Sequence, residues 1–114
     1  MELVIINNIA EIISESVIIN TVDDAVDILG NANYQGAEAV ILRKEQLADE
    51  FFDLKTGIAG EILQKFSNYN MKLAVIGDFS NIESKSLRDF IYESNKTGRI
   101  NFLSTREEAL EVLK

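Results

Sequence analysis

Apolar and polar positions follow two rhythms along this chain, and the switches between them define its elements. Glu2–Ile6 and Ile9–Ser14 are β-branched apolar runs separated by Asn7-Asn8. Asparagine tolerates the left-handed backbone of a tight turn, so the two runs predict an antiparallel hairpin. Val17–Ile19 is a short extended piece. Thr21 then reads as a helix cap, with Asp23 and Asp24 facing the positive end of the helix dipole. Val22, Ala25, Val26, Leu29 and Ala32 recur at helical spacing, Gly30 weakens that helix near its end, and Gly36 terminates it. Ala39–Leu42 and Leu73–Ile76 are continuous apolar runs, the pattern of strands covered on both faces. The stretch Lys44–Leu54 predicts irregular chain or one short helical turn.

A second helix is expected from about Gly57 to Tyr69, with Ile58, Ala59, Ile62, Leu63 and Phe66 inward. Gly60 is assigned to close packing of this helix on the sheet. Ser84 or Ser86 opens a third helix, burying Leu87, Phe90, Ile91 and Ser94 and stopping at Asn95–Gly98. Ile100 and Phe102 alternate with polar neighbours, as in an edge strand. Ser104 or Thr105 caps a last helix carrying Ala109, Leu110 and Leu113, and the spacing Ser104…Glu107 suggests a capping box. Strands alternating with helices predict an α/β class. The expected architecture is one domain over residues 1–114, with a mostly parallel sheet from four right-handed strand-helix units and an N-terminal antiparallel edge strand.

Composition narrows the chemistry. With 114 residues, 46% of them hydrophobic, one core can close without covalent staples. The chain has neither cysteine nor histidine, so disulfides, thiolate ligands, the usual zinc ligand and the usual neutral-pH base are all excluded. The formal charge of −8 argues against nucleic acid and anionic lipid as partners and fits attraction of a basic one. Lys and Arg form no run. No apolar stretch approaches the roughly 20 residues of a membrane span, and Leu3–Ile6 is too short for a signal segment, so a cytoplasmic protein is expected.

In open α/β sheets, sites lie beyond the carboxyl ends of the parallel strands. The candidates are therefore Arg43, Asp53, Thr56 and Gly57 after one apolar strand, and Asp78 and Ser80 after the other. If those strands are neighbours, Asp53, Thr56, Asp78 and Ser80 converge near two helix N-termini. Thr56 has two readings, a plain helix cap or a phosphoacceptor whose phosphate meets a helix dipole and repels Asp53 and Asp78. Asp53 and Asp78 are the pair that would have to supply any weak Mg²⁺ site. The reading adopted assigns no metal, no cofactor and no catalytic residue. Of Phe51 and Phe52, at least one is expected in the core. Gly57-Ile58-Ala59-Gly60 matches the GxxG of nucleic-acid-binding KH domains in spelling only, because the element order differs and the chain is acidic.

The stretch Phe51–Phe66, with Lys72–Ser80 and Ser84–Asn95, resembles the bacterial domain-of-unknown-function family 4180 over nearly the whole chain. That family implies no activity. The order of elements is also similar to the STAS fold of anti-sigma-factor antagonists, a superhelix of four strand-helix turns preceded by an edge strand. The switch motif of that fold (Asp, one residue, then Ser-Gly) resembles Asp53-Leu54-Lys55-Thr56-Gly57, with one extra residue and Thr for Ser. The resemblance implies a phosphoacceptor at Thr56 and a non-enzymatic regulatory or protein-interaction module. The alternatives are a small-molecule-binding protein or carboxylate-based enzyme using Asp53 and Asp78, and a homodimer formed through the edge strand Arg99–Leu103.

Overall fold

The computed structural model describes residues 1–114. Five strands form one sheet in the order of the chain: β1 (Glu2–Ile6), β2 (Ile9–Ile13), β3 (Ala39–Arg43), β4 (Lys72–Ile76) and β5 (Ile100–Leu103). β1 pairs antiparallel with β2, and every later pairing is parallel. The hairpin turns where the sequence predicts it. Asn7 and Asn8 both take positive φ, 51° and 67°, the geometry of a two-residue turn whose twist matches the strands it joins.

Four helices connect or follow the strands: α1 (Val22–Tyr34), α2 (Ile58–Asn68), α3 (Lys85–Thr97) and α4 (Arg106–Leu113). Alternation along each strand sends side chains to opposite faces. Ala10, Ile12, Val40, Leu42, Leu73, Val75, Ile100 and Phe102 join the buried parts of α1 and α2 in a core of 20 residues, with Phe90 and Ile91 of α3 packed at its margin. Each fully buried Leu, Ile or Phe in it contributes about 1.5–3 kcal/mol of transfer free energy. The opposite face holds a smaller core of 7 residues, where Ile9, Ala39, Ile41, Ala74 and Ile76 meet Ala109 and Leu113 of α4. A single short helix thus covers that side.

Local chemistry departs from expectation at several points. The capping box of α4 is Thr105 with Glu108, not Ser104 with Glu107: Thr105 Oγ1 accepts from Glu108 N, and Glu108 Oε1 accepts from Thr105 N. α1 carries the expected cap at Thr21, reciprocated by Asp24. Its inner face also includes Ile28, which is buried, whereas Val22 and Val26 are only half-buried. Gly60 is exposed, with open space where a Cβ would stand, so it does not serve close packing. The Lys44–Thr56 stretch forms three 3₁₀ turns, Lys44–Gln46, Asp49–Phe52 and Leu54–Thr56. Ile19 forms an isolated parallel bridge with Leu47, which ties the segment after β2 to the first of these turns.

One residue of the β5 edge is capped by a side chain. Phe102 N donates to Asn95 Oδ1 at 2.6 Å, and Asn95 Nδ2 donates to Phe102 O at 3.1 Å. The carboxamide of α3 thus occupies the position of one residue of a further strand. No helix is long and apolar enough to cross a membrane.

Candidate functional site

β3 and β4 are adjacent, so the segments leaving their carboxyl ends run side by side. Their meeting point is Lys44. Its side chain crosses the start of the β4–α3 loop, and Nζ donates to Asp78 O at 2.8 Å. The ammonium lies 5.2 Å from the Phe79 ring centroid and 5.9 Å from that of Phe52, within cation–π range of both. Beneath it, edge-to-face and tilted contacts link Phe51, Phe52, Phe79, Phe102 and Phe90, with centroids 5.0 to 6.2 Å apart. Phe51 is buried and Phe52 half-buried, because adjacent side chains in this turn cannot share one direction. The result is an aromatic ridge with a cation laid across it.

The polar candidates are each held locally. Asp78 Oδ1 accepts from Ser80 N and from Ser80 Oγ. These bonds, the side-chain one first, hold the Asp78 carboxyl below its ordinary pKa, and the Lys44 charge adds to the effect. Asp53 Oδ1 accepts from Lys55 N at 3.2 Å. Gly57, with φ +76°, occupies the N-cap position of α2 that Thr56 was expected to take. Thr56 still binds the helix start: its Oγ1 accepts from Ile58 N at 3.2 Å and sits 2.9 Å from both Glu50 O and Asp53 O, which share its one proton.

These residues do not all face one space. Asp53 lines an open depression of about 570 Å³ with Phe52, Leu54, Lys55, Ser84 and Ser86. Asp78 lines another of about 360 Å³, whose wall includes Lys44, Asp49 and Phe52. Phe52 is the one residue common to both, and the two carboxylates line different depressions. Asp78 shares its depression with Glu45 and Asp49, and a further one with Glu108 of α4, beside Ser80, Asn95 and Ser104. Glu108 is held below its ordinary pKa by Ser104 and Thr105. No group of three or more Asp, Glu, His or Cys side chains is placed to hold a metal ion.

Arg43 lies elsewhere. Its position in β3 directs it to the α4 face, where Nη2 meets Glu11 Oε2 at 3.4 Å, while Arg106 Nε donates to both Glu11 oxygens at 2.9 and 3.0 Å. Glu11 is 7% exposed. A carboxylate in a buried strand position demands such partners, and an acid within the apolar run Ile9–Ser14 is the sequence signal that could have found this triad. Gln46 carried no such signal. It is buried at 2% exposure, accepts from Arg43 N at 2.8 Å, and donates to Ile12 O and Ser14 O at 3.1 Å each. Its carboxamide fills the gap where β2 and β3 part.

The acid depression gives a direct test. Ser80→Ala removes both the hydroxyl donor and its ordering of the turn, so the Asp78 titration midpoint rises toward the ordinary carboxylate value, read by NMR of the side-chain carboxyl carbon. The folded-state pKa of Asp78 is lowered, so its stabilising contribution is present above the unfolded-state value and fades as pH falls through the folded one. An unchanged midpoint would show that Ser80 does not hold the carboxylate.

Fold and site together define a mixed, mostly parallel α/β domain whose carboxyl edge carries an aromatic ridge, a lysine and locally bonded carboxylates. Residues 6–113 match the family described as domain of unknown function (DUF4180), and the chain belongs to that family. No curated protein and no solved structure matches it.

Proposed function

We propose that this domain is a STAS-like, non-enzymatic regulatory module that binds a protein partner through the carboxyl edge of its sheet, with Thr56 as a phosphoacceptor that switches binding. The observation that carries this reading is the ridge of Phe52 and Phe79 crossed by Lys44. Half-buried aromatic rings beside a fixed cation are the composition of interface hot spots. Asp53, Ser80 and Asp78 surround the ridge with polar groups, the arrangement of an interface rim. The sequential strand order supports the STAS-like comparison. The rival reading, a carboxylate pair acting on one small molecule, fits less well, because Asp53 and Asp78 line different depressions.

The surroundings of Thr56 support the switch. A phosphate on Oγ1 would remove the proton shared by the Glu50 and Asp53 carbonyls and set about two negative charges against those oxygens. The turn Leu54–Thr56 would open, and the surface beside Phe52 would change in shape and charge without disturbing the buried core.

A photo-crosslinking residue placed at Ser80 or at Asp53 tests the reading in cells. The expected result is one discrete protein adduct from both positions, lost in Thr56→Glu and retained in Thr56→Ala, and absent when the probe sits at exposed Lys72 at the other end of the sheet. Equal adducts from Lys72, or none from Ser80 and Asp53, would reject the carboxyl edge as the contact surface. Adducts indifferent to Thr56→Glu would reject the switch alone.

A further inference from the structure

The sheet has two edges, and they differ in how far side chains cover them. Asn95 occupies the outward backbone groups of Phe102 on β5. On β1, the pair Ile6↔Ile9 flanks the two-residue turn and is therefore hydrogen-bonded, so the pairs Val4↔Glu11 and Glu2↔Ile13 are bonded as well. The intervening residues, Leu3 and Ile5, direct their N–H and C=O groups away from β2. Those four groups have no backbone partner in the fold. The edge also lacks the usual protection. Glu-Leu-Val-Ile-Ile contains no lysine, no proline and no bulge. Beside it, on the α4 face but beyond the part that short helix covers, Ile6 and Ile13 are 44% and 45% exposed.

Charge selects the occupant. Residues 1–42 contain seven of the 19 acids and none of the 11 lysines and arginines, a net of −7 for this segment against −1 for the rest. Because the strands lie in chain order, this division is spatial. β1, β2 and α1 form a flank bearing most of the net charge of the molecule, and only Glu11 among its acids is paired with arginine. Glu2 stands at the start of β1 and Glu15 just past the end of β2, where β1 begins. A second copy would bring an equally acidic flank to this edge, and that repulsion disfavours it.

We infer that the β1 edge accepts an extended, basic-flanked segment of a partner protein as a sixth strand, bonded to the backbone of Leu3 and Ile5. Its apolar residues lie beside Val4 and Ile6, with exposed Ile13 one strand further in, and its lysines or arginines lie near Glu2 and Glu15. This is strand addition, in which main-chain bonds supply affinity and flanking charge supplies selectivity. The surface is separate from the carboxyl edge, so either can fail without the other.

The test uses the full chain and a synthetic peptide of alternating valine and threonine flanked by lysines. Amide exchange at Leu3 and Ile5 should slow at least tenfold on binding, while Val4, already bonded to β2, changes little. A peptide flanked by glutamates, and a lysine-flanked peptide N-methylated at alternate nitrogens, should give no protection. Glu2→Lys with Glu15→Lys, both exposed and outside the core, should weaken the lysine-flanked peptide roughly tenfold, in line with the loss and reversal of two exposed pairs. Protection by the glutamate-flanked peptide to the same degree would overturn the proposal. So would Leu3 and Ile5 amides that the peptide leaves unchanged. Protection of those amides without peptide, growing with protein concentration, would instead assign the edge to a second copy and also reject the inference.

Discussion

Replacing Gln46 with leucine should lower the free energy of unfolding by about 3 kcal/mol, the largest effect expected from a single polar side chain in this domain. The carboxamide serves three backbone groups: Arg43 N, Ile12 O and Ser14 O. Each buried group left without a partner costs roughly 1–3 kcal/mol, whereas the added apolar burial of leucine returns about 1 kcal/mol. Desolvation therefore decides the sign. Urea unfolding is the measurement, and the midpoint temperature should fall by about 10 °C or more for a domain of this size. Gln46→Glu separates the donor bonds from the acceptor bond. The carboxylate can still accept from Arg43 N, but its oxygens then face two carbonyls, so this variant should be less stable than wild type at neutral pH and recover partly in acid as the carboxyl becomes a donor. A loss below about 1 kcal/mol for the leucine variant would mean that water or backbone adjustment satisfies the freed groups.

Gly77→Ala has two opposing terms. Removing glycine from the unfolded chain stabilises by about 0.4–1 kcal/mol where the native backbone suits alanine, and Gly77 does not have positive φ. Against this, a Cβ at Gly77 would stand 2.6 Å from Lys44 Cβ. The obstructing atom is the root of the lysine side chain rather than its flexible end, so β3 and β4 must shift relative to each other. Overpacking of this kind costs typically 1–3 kcal/mol. Net destabilisation of about 1–2 kcal/mol is expected, together with displacement of Lys44 from Phe52 and Phe79, visible as changed aromatic side-chain shifts. In a Lys44→Gly background the same substitution should become neutral or stabilising. A double-mutant cycle without coupling would show that the two positions do not compete for space.

The elements were legible because each depends on neighbours in the chain. The Asn7-Asn8 turn, the Thr21 and Ser84 caps, the helical faces and the apolar strands all follow from spacing over a few residues. The carboxyl edge was legible as a location for the same reason, since strands alternating with helices leave their connections there. The contents of that edge were less so. Lys44 gave no hint that it would lie across Gly77 and bond to Asp78 O, a contact spanning 34 residues of chain. Asp53 and Asp78 read as one pair because both follow apolar strands, but they line different depressions that share only Phe52. Arg43 read as a site residue from its position after a strand, yet the alternation of β3 turns it to the other face, toward Glu11.

By itself, then, the amino-acid order determined the strands and helices, the antiparallel start, and the absence of any His or Cys from the available chemistry. These are local or compositional properties, encoded by periodicity, turn residues and residue type. Tertiary structure alone decided which carboxylates share a depression, that Gln46 closes the gap between two strands, and that Asn95 caps Phe102 on one sheet edge while the other is open on an acidic flank. Each depends on residues far apart in the chain being brought within bonding distance, and pairing over such separations leaves no periodic trace in a single sequence.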